Sequence, residues 1–200
     1  MAQLRLVRSR TLSVQAIPHD VRALIEEYVQ RYASGKLDRA TARCDLGLAL
    51  RGAGHWDFAD FDWIDVVLTL NSTLRSYWRD YAHDLQHPVL LDHWPAQEFL
   101  KVGYGEEQVD WPARWRAAGG RMFGERMIAL KDDPVWCRMS DFGYPFPPFV
   151  AVSHMGLRAI DRGDAMFLGL IDLHRRVRPP SVPKPELLLE FDVQKRPNTR

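Results

Sequence analysis

The chain has 200 residues and nearly balanced charge, with 27 basic and 26 acidic side chains and 46% hydrophobic residues. This length and composition are typical of a single globular domain with a core of its own. They argue against an intrinsically disordered chain and against a generally polycationic nucleic-acid binder. Any contact with DNA must therefore come from a local patch of basic residues.

Cysteine usage and the start of the chain indicate the compartment. Cys44 and Cys137 are far apart, and neither belongs to a CxxC pair or has a histidine at ligand spacing. A disulfide framework or a zinc finger is therefore not predicted, and a reducing compartment is favoured. Residues 1–20 contain no apolar run long enough for a signal peptide, and no stretch of about 18 apolar residues occurs. We expect a soluble protein made without secretion.

The first half of the chain carries three helical patterns. Apolar residues recur at helical spacing from Asp20 to Ala33, and then from the candidate N-cap Asp38 to about Arg51. The second pattern has two candidate apolar stripes, Ala40, Cys44 and Leu48 or Ala42, Leu46 and Leu50. The third and longest pattern runs from Phe61 to Leu85, where His87-Pro88 blocks continuation. The sequence therefore predicts a helical region over residues 1–89, beginning with a helical hairpin.

Shorter elements follow. PAQEFLKVGYG, residues 95–105, and MIALK, residues 127–131, are predicted to contain strands. Asp133 before Pro134 indicates the start of a helix that we expect to reach Phe142. A last short helix is expected between Asp161 and Gly169. These signals predict a smaller mixed region, rich in aromatic residues and proline, over residues 90–177.

The end of the chain is rich in proline. Residues 178–200 contain one strand-like stretch, LLLEFDV, and otherwise the composition of an extended arm. We expect this arm to reach across a neighbouring molecule. The predicted fold class is α+β, predominantly helical, with N-terminal helices, the mixed region and the extended arm. Whether residues 1–177 form one domain is left open.

One stretch matches the spacing of a catalytic motif. HDLQH puts His83 and His87 one helical turn apart, as in the HExxH zinc peptidases, with Asp84 in place of the glutamate. The proline after His87 ends the helix there, so we favour two solvent-facing histidines. No nucleophile elbow and no phosphate-binding glycine loop occurs in the sequence. We therefore predict no catalytic residue, no metal site and no cofactor.

Two tryptophans alternate with arginines in DWPARWRAAGG. Trp111 and Trp115 are four residues apart, and Arg114 and Arg116 flank the second ring. Such an arrangement suits a nucleic acid or protein partner, because guanidinium groups stack on indole rings. The simpler interpretation, which we favour, is that the tryptophans close a small core. The candidate nucleic-acid contacts are Arg114, Arg116, Arg121, Lys195 and Arg196.

The stretch DDPVWCRMSDFGYPFPPF, residues 132–149, is unusually dense in aromatic residues and proline. Prolines fix the backbone, so the rings lose little entropy when they pack. Burying each ring contributes about 1.5–3 kcal/mol, which favours a loop that is locked onto Trp136. Rigid aromatics also anchor neighbouring subunits. The candidate partner-binding or core-framing residues are Trp111, Trp115, Trp136, Tyr144, Phe146, Pro147, Pro148, Phe149 and Met155.

Several short sequence motifs occur in a specific order between residues 95 and 171. The pieces are PAQE at 95–98, DWPARW at 110–115, AAGG at 117–120, RMIALK at 126–131, DPVW at 133–136, PPF at 147–149, MG at 155–156 and the closing LGLI. In this order and spacing, residues 90–171 resemble the Mu-type minor head proteins of phages and prophages, which act in head morphogenesis. Two departures stand out. The chain has no Cys-x-Cys, and VAVSH at 150–154 replaces an expected acidic or amide residue and a glycine.

This resemblance implies a structural role without catalysis. It implies a virion protein that is assembled in the host bacterial cytoplasm and acts near the portal vertex or neck. Its expected partners are other head, portal or neck proteins in multiple copies, together with packaged DNA in some relatives, and no membrane. The arm would then be ordered on such a partner. Two alternatives stay open: a DNA-contacting accessory protein of the head, and a metal-dependent hydrolase or toxin-like enzyme that uses the histidines.

Overall fold

A computed structural model describes residues 17–104, 109–151 and 153–189. The described residues form an α+β fold that is mostly helical, which confirms the predicted class. The elements are α1 His19–Ala33, α2 Arg39–Gly52, a 3-10 turn Trp56–Phe58, α3 Phe61–Gln86, α4 Pro88–His93, β1 Ala96–Lys101, α5 Trp111–Ala117, β2 Met122–Phe123, β3 Arg126–Leu130, α6 Val135–Arg138, β4 Met155–Ile160 and α7 Arg162–Phe167. None of the described helices has the length and apolarity needed to cross a bilayer.

Helices α1, α2 and α3 pack against one another, as their periodicity predicts. Their shared core is formed by Val21, Ile25, Val29, Ala42, Leu46, Leu50, Ile64, Val67 and Leu68. Asp38 caps α2, because its Oδ1 accepts a hydrogen bond of 2.9 Å from the Thr41 N–H. Of the two candidate apolar stripes on α2, the one that contains Leu46 is buried in this core. Cys44 and Leu48 on the other stripe are exposed.

The strands form one antiparallel sheet in the order β2-β3-β1-β4. The strands predicted in 95–105 and 127–131 are confirmed as β1 and β3. Strand β4 was not predicted, although Met155, Leu157 and Ala159 alternate with Gly156 and Arg158 as in a strand. Its pairing with β1 gives it strand structure, and Phe99 lies opposite Leu157 in that register.

The two faces of the sheet bury different clusters. On one face Phe99 and Met127 pack against an aromatic cluster that includes Trp115 and Trp136. On the other face Ile128 packs with Ala165 of α7 and with residues 168–171. Successive side chains of a strand point to opposite faces, so β1 and β3 contribute to both clusters. The sheet is thus covered by packing on both sides.

The helix expected from Asp133 to Phe142 is shorter than predicted. It ends at Arg138, since the Phe142 N–H is bonded to Ser140 Oγ at 3.2 Å and the Asp141 N–H to the carbonyl of Phe149 at 2.8 Å. A hydrogen bond to the Ser140 side chain and one to the Phe149 main chain therefore replace a second helical turn. The short helix expected after Asp161 is confirmed as α7, and Asp161 caps it.

The C-terminal segment lies on its own chain. Residues 178–189 have no regular secondary structure and run along α3 in the opposite direction. Trp78 Nε1 donates to the Val182 carbonyl at 3.1 Å, and Leu189 is buried in the helical core. The expectation that the arm reaches across a neighbour is therefore wrong for these residues. The strand-like stretch forms no strand at 187–189, and residues 190–200 lie outside the described residues.

Candidate functional site

The tryptophans singled out from the sequence are core residues. Trp111 is 3% exposed, and Trp115 and Trp136 are fully buried. The rings of Trp115 and Trp136 meet edge to face at 5.1 Å. Their indole N–H groups donate to the Arg121 carbonyl at 2.9 Å and to the Leu130 carbonyl at 2.7 Å. Both polar groups are thus satisfied inside the protein, in agreement with the interpretation that these tryptophans close a core.

The YPFPPF segment, residues 144–149, joins the helices to the sheet. Phe146 is buried beside Tyr81 of α3, with ring centroids 5.3 Å apart, and Tyr144 stacks on it at 5.4 Å. Phe149 is buried against Phe99 of β1 at 5.2 Å. The buried side chains of this segment contact the protein's own core, so they are not available to a partner. Of the remaining candidates, Tyr144, Pro148 and Met155 are half-buried, whereas Pro147 is buried and forms a cis peptide bond with Pro148.

The candidate nucleic-acid contacts divide into three groups. Arg114 is engaged within the chain, because its Nε donates to the Met139 carbonyl at 2.6 Å and it forms an ion pair of 2.7 Å with Asp141. Arg116 and Arg121 are exposed. Lys195 and Arg196 lie outside the described residues. The described surface therefore leaves two of the five arginine and lysine candidates facing solvent.

The two histidines of HDLQH lie close together. The rings of His83 and His87 are 4.3 Å apart, and both side chains are exposed. The Asp84 carboxylate forms an ion pair of 2.5 Å with Lys131, the residue that follows β3. This carboxylate is therefore engaged in a contact within the protein, and not placed as the general base of a zinc peptidase would be. Across the described ranges no group of three or more His, Cys, Asp and Glu side chains could hold a metal ion.

A cleft lies where the end of α3 meets the sheet, and we call it the junction cleft. It consists of two adjoining cavities of about 390 and 180 Å³, which share Leu85, Leu91 and Pro179. The smaller cavity reaches Gln97 and the Asp84–Lys131 ion pair. Pieces that were far apart in the sequence analysis, the HDLQH stretch, PAQE and RMIALK, therefore line one concavity.

An exposed aromatic surface lies at the other end of α3. It comprises Leu48, Trp56 and Phe61, which are 58%, 68% and 37% exposed, together with Arg43 and Arg51, and we call it the Trp56 surface. The Arg51 guanidinium lies 5.0 Å from the Phe61 ring centre and 5.9 Å from that of Trp56. Arg43 lies 5.9 Å from the Phe61 ring centre. The guanidinium groups thus lie over rings that remain open to solvent.

The close contact between α2 and α3 shapes this surface. A Cβ atom at Gly47 would lie 2.9 Å from Phe61 Cε1, so the missing side chain lets the ring approach the helix backbone. Leu48 and Arg51 are three residues apart on α2 and therefore neighbours on its surface. These residues are not among the candidates predicted from the sequence. The sequence feature that could have indicated this surface is Trp56, which lies in the glycine-containing connector between α2 and α3. This connector follows the helix whose second apolar stripe, with Leu48, is exposed.

The Trp56 surface has the composition of a protein interface. Interface centres are enriched in Trp, Phe and Arg, and exposed rings on rigid elements bind with a small loss of entropy. Three aspartates, Asp57, Asp60 and Asp62, lie in the same connector and helix start, which disfavours a polyanionic partner. Comparison of the chain with protein-family models, curated proteins and solved structures found no match. The residues of the two surfaces therefore carry the functional argument.

Proposed function

We propose that the protein is a structural component of a phage virion, a minor head or a portal-vertex or neck-associated protein. In this role it acts in head assembly by binding other structural proteins, and it is not an enzyme. The observation that carries the proposal is the Trp56 surface, where two aromatic rings and a leucine are held open to solvent beside two arginines. Full burial of such side chains contributes about 1.5–3 kcal/mol each.

The resemblance to Mu-type minor head proteins supports this role from another direction. Its most distinctive pieces coincide with core positions, since Trp111, Trp136 and Phe149 are each at most 3% exposed. Residues that fill a core determine the packing of the elements around them. A chain that shares these motifs is therefore expected to share the architecture around the sheet. Partner contacts are then made at exposed positions such as Trp56.

The experiment that tests the proposal is quantitative mass spectrometry of gradient-purified particles from an induced lysate of the source strain. We expect the wild-type protein in particles at low copy number relative to the major capsid protein. Trp56→Ala should reduce its amount in particles about tenfold or more, because loss of one interface anchor costs about 2 kcal/mol or more. The matched control is Trp94→Ala, which removes a 42% exposed tryptophan from a different surface.

The possible outcomes separate the virion assignment from the surface assignment. Absence of the wild-type protein from particles, despite abundance in the lysate, contradicts a virion component. Normal incorporation of Trp56→Ala together with the wild type contradicts only the role of the Trp56 surface. Loss of Trp94→Ala to the same degree would show that the assay responds to any exposed tryptophan.

A further inference from the structure

The junction cleft has the size and lining of a binding site. Its larger cavity, at about 390 Å³, falls in the range of about 300–1,000 Å³ that is typical of ligand sites. Leu91 and Val177 line this cavity and are 7% and 6% exposed. Since the smaller cavity continues from the shared residues Leu85 and Pro179, the cleft is elongated. This shape suits an extended occupant with apolar side chains.

The larger cavity carries positive charge at its rim. Asp92 Oδ1 accepts from Arg162 at 2.6 Å and from Arg176 at 2.5 Å, so one carboxylate is shared by two guanidinium groups. The side chain of Arg176 remains 60% exposed. Arg178 lines the same cavity, and its side chain is exposed while its N–H is held by Asp132 at 3.2 Å. The excess of arginine over carboxylate favours an anionic group at this end.

Besides the exposed carboxylate of Asp80, the smaller cavity carries uncharged and paired polar groups. Gln97 is half-buried there, and its side-chain amide forms no hydrogen bond with another described residue. The Asp84–Lys131 ion pair lies beside it. A hydrocarbon chain would take these groups out of water without offering partners, which is costly. A polypeptide can offer both N–H and C=O groups to an amide, so the lining favours a peptide over an alkyl chain.

We propose that the junction cleft binds an extended segment of a partner protein in which apolar side chains flank a carboxylate. The carboxylate lies at Arg176 and Arg178, the apolar side chains contact Leu85 and Leu91, and the peptide backbone bonds to the Gln97 amide. This site is separate from the Trp56 surface, and it goes beyond the proposed function by defining the chemistry of a second contact.

The test is selection of a displayed random heptapeptide library on the purified full chain, followed by sequencing. The same selection is run on Arg178→Glu and on the matched control Lys184→Glu, an exposed residue of the same segment that does not line the cleft. We expect the wild type and Lys184→Glu to enrich sequences with Asp or Glu between apolar residues, and Arg178→Glu to lose them. Circular dichroism verifies that both variants are folded.

A second measurement locates the site. A selected peptide should perturb the NMR signals of the Gln97 side-chain amide and the Leu85 and Leu91 methyl groups. Its neutral form, with Gln in place of Glu, should bind about tenfold more weakly, as expected for loss of a charge contact. The proposal is overturned if the wild type enriches no acidic and apolar sequences, if Arg178→Glu enriches them equally, or if the perturbed signals lie outside the cleft.

Discussion

Asn71 of α3 holds the main chain of Leu188 with both ends of its side-chain amide. Asn71 Nδ2 donates to the Leu188 carbonyl at 2.8 Å, and the Leu188 N–H donates to Asn71 Oδ1 at 2.7 Å. Asn71 is 2% exposed and Leu188 is half-buried, so this pair is partly shielded from water. The amide thereby replaces the strand partner that the C-terminal segment lacks at this point, and it fixes the segment against the longest helix.

We expect Asn71→Ala to lower the free energy of unfolding by about 2–3 kcal/mol, because it leaves the N–H and C=O of half-buried Leu188 without the amide as partner. The measurement is urea denaturation followed by tryptophan fluorescence. Ser76→Ala, at an exposed position of the same helix, is the control and should change stability by no more than about 0.5 kcal/mol. Equal stability of Asn71→Ala and the wild type would contradict the role of this contact.

The same contact predicts protection of the C-terminal segment in the isolated protein. The Leu188 N–H should exchange with solvent far more slowly than in an unstructured peptide, and Asn71→Ala should remove this protection. Hydrogen exchange followed by NMR measures both rates. If the segment were ordered only on a partner, the wild-type amide would exchange freely.

The buried tryptophans predict a contrast between core and surface. Trp136→Ala should destabilise the protein by about 3–5 kcal/mol, since it empties a fully buried site and removes the hydrogen bond from the indole N–H to the Leu130 carbonyl. Trp56→Ala should change the free energy of unfolding by no more than about 0.5 kcal/mol, because its ring is 68% exposed. Thermal unfolding of the two variants checks this, and comparable losses would refute the assignment of Trp56 to an open surface.

Glu98 predicts a loss of stability in acid. It is 5% exposed on β1 and forms ion pairs with Arg126 of β3 at 3.0 Å and with Arg158 of β4. The hydrogen bond from Arg126, with help from Arg158, lowers the pKa of Glu98 below its usual value of 4.5. A lowered pKa in the folded state means that this stabilisation is present above pH 4.5 and is lost as the pH falls below it.

The expected result is a stability difference between the wild type and Glu98→Gln of about 1 kcal/mol at pH 7, which becomes smaller as the pH falls below 4.5. The magnitude is modest because the side chains of Arg126 and Arg158 are 45% and 58% exposed, and water screens the pairs. Urea midpoints from pH 7 to pH 3 measure this difference. A constant difference over the whole range would show that the charge of Glu98 is not responsible.

The exposed arginines provide the test of the DNA-contacting alternative. If the protein binds DNA through phosphates, Arg116→Ala and Arg121→Ala should each weaken binding and reduce the slope of log affinity against log salt by about 1. Arg114→Ala should instead lower thermal stability, because Arg114 joins α5 to Met139 and Asp141. Fluorescence anisotropy over a salt series measures the slope, and affinity that does not depend on salt rules this alternative out.

The sequence by itself determined the elements whose signals are local. Helices α1, α2 and α3 follow from periodic apolar residues, and α2 and α3 begin at aspartate caps whose side chains accept from residues three positions later. Strands β1 and β3 follow from short apolar runs near glycine. These signals depend on neighbours within one or two turns of the chain, so they can be identified without knowledge of the fold.

Tertiary structure decided what depends on distant partners. Met155–Ile160 is a strand because β1 pairs with it, and the C-terminal segment lies on α3 because Asn71, Trp78 and Tyr81 bind its carbonyls. The choice between two apolar stripes on α2 was also made by packing, and this choice left Leu48 exposed on the helix that carries Arg51, whose guanidinium lies over Trp56. The junction cleft lies where elements distant in sequence meet, and a local pattern carries no information about which elements these are.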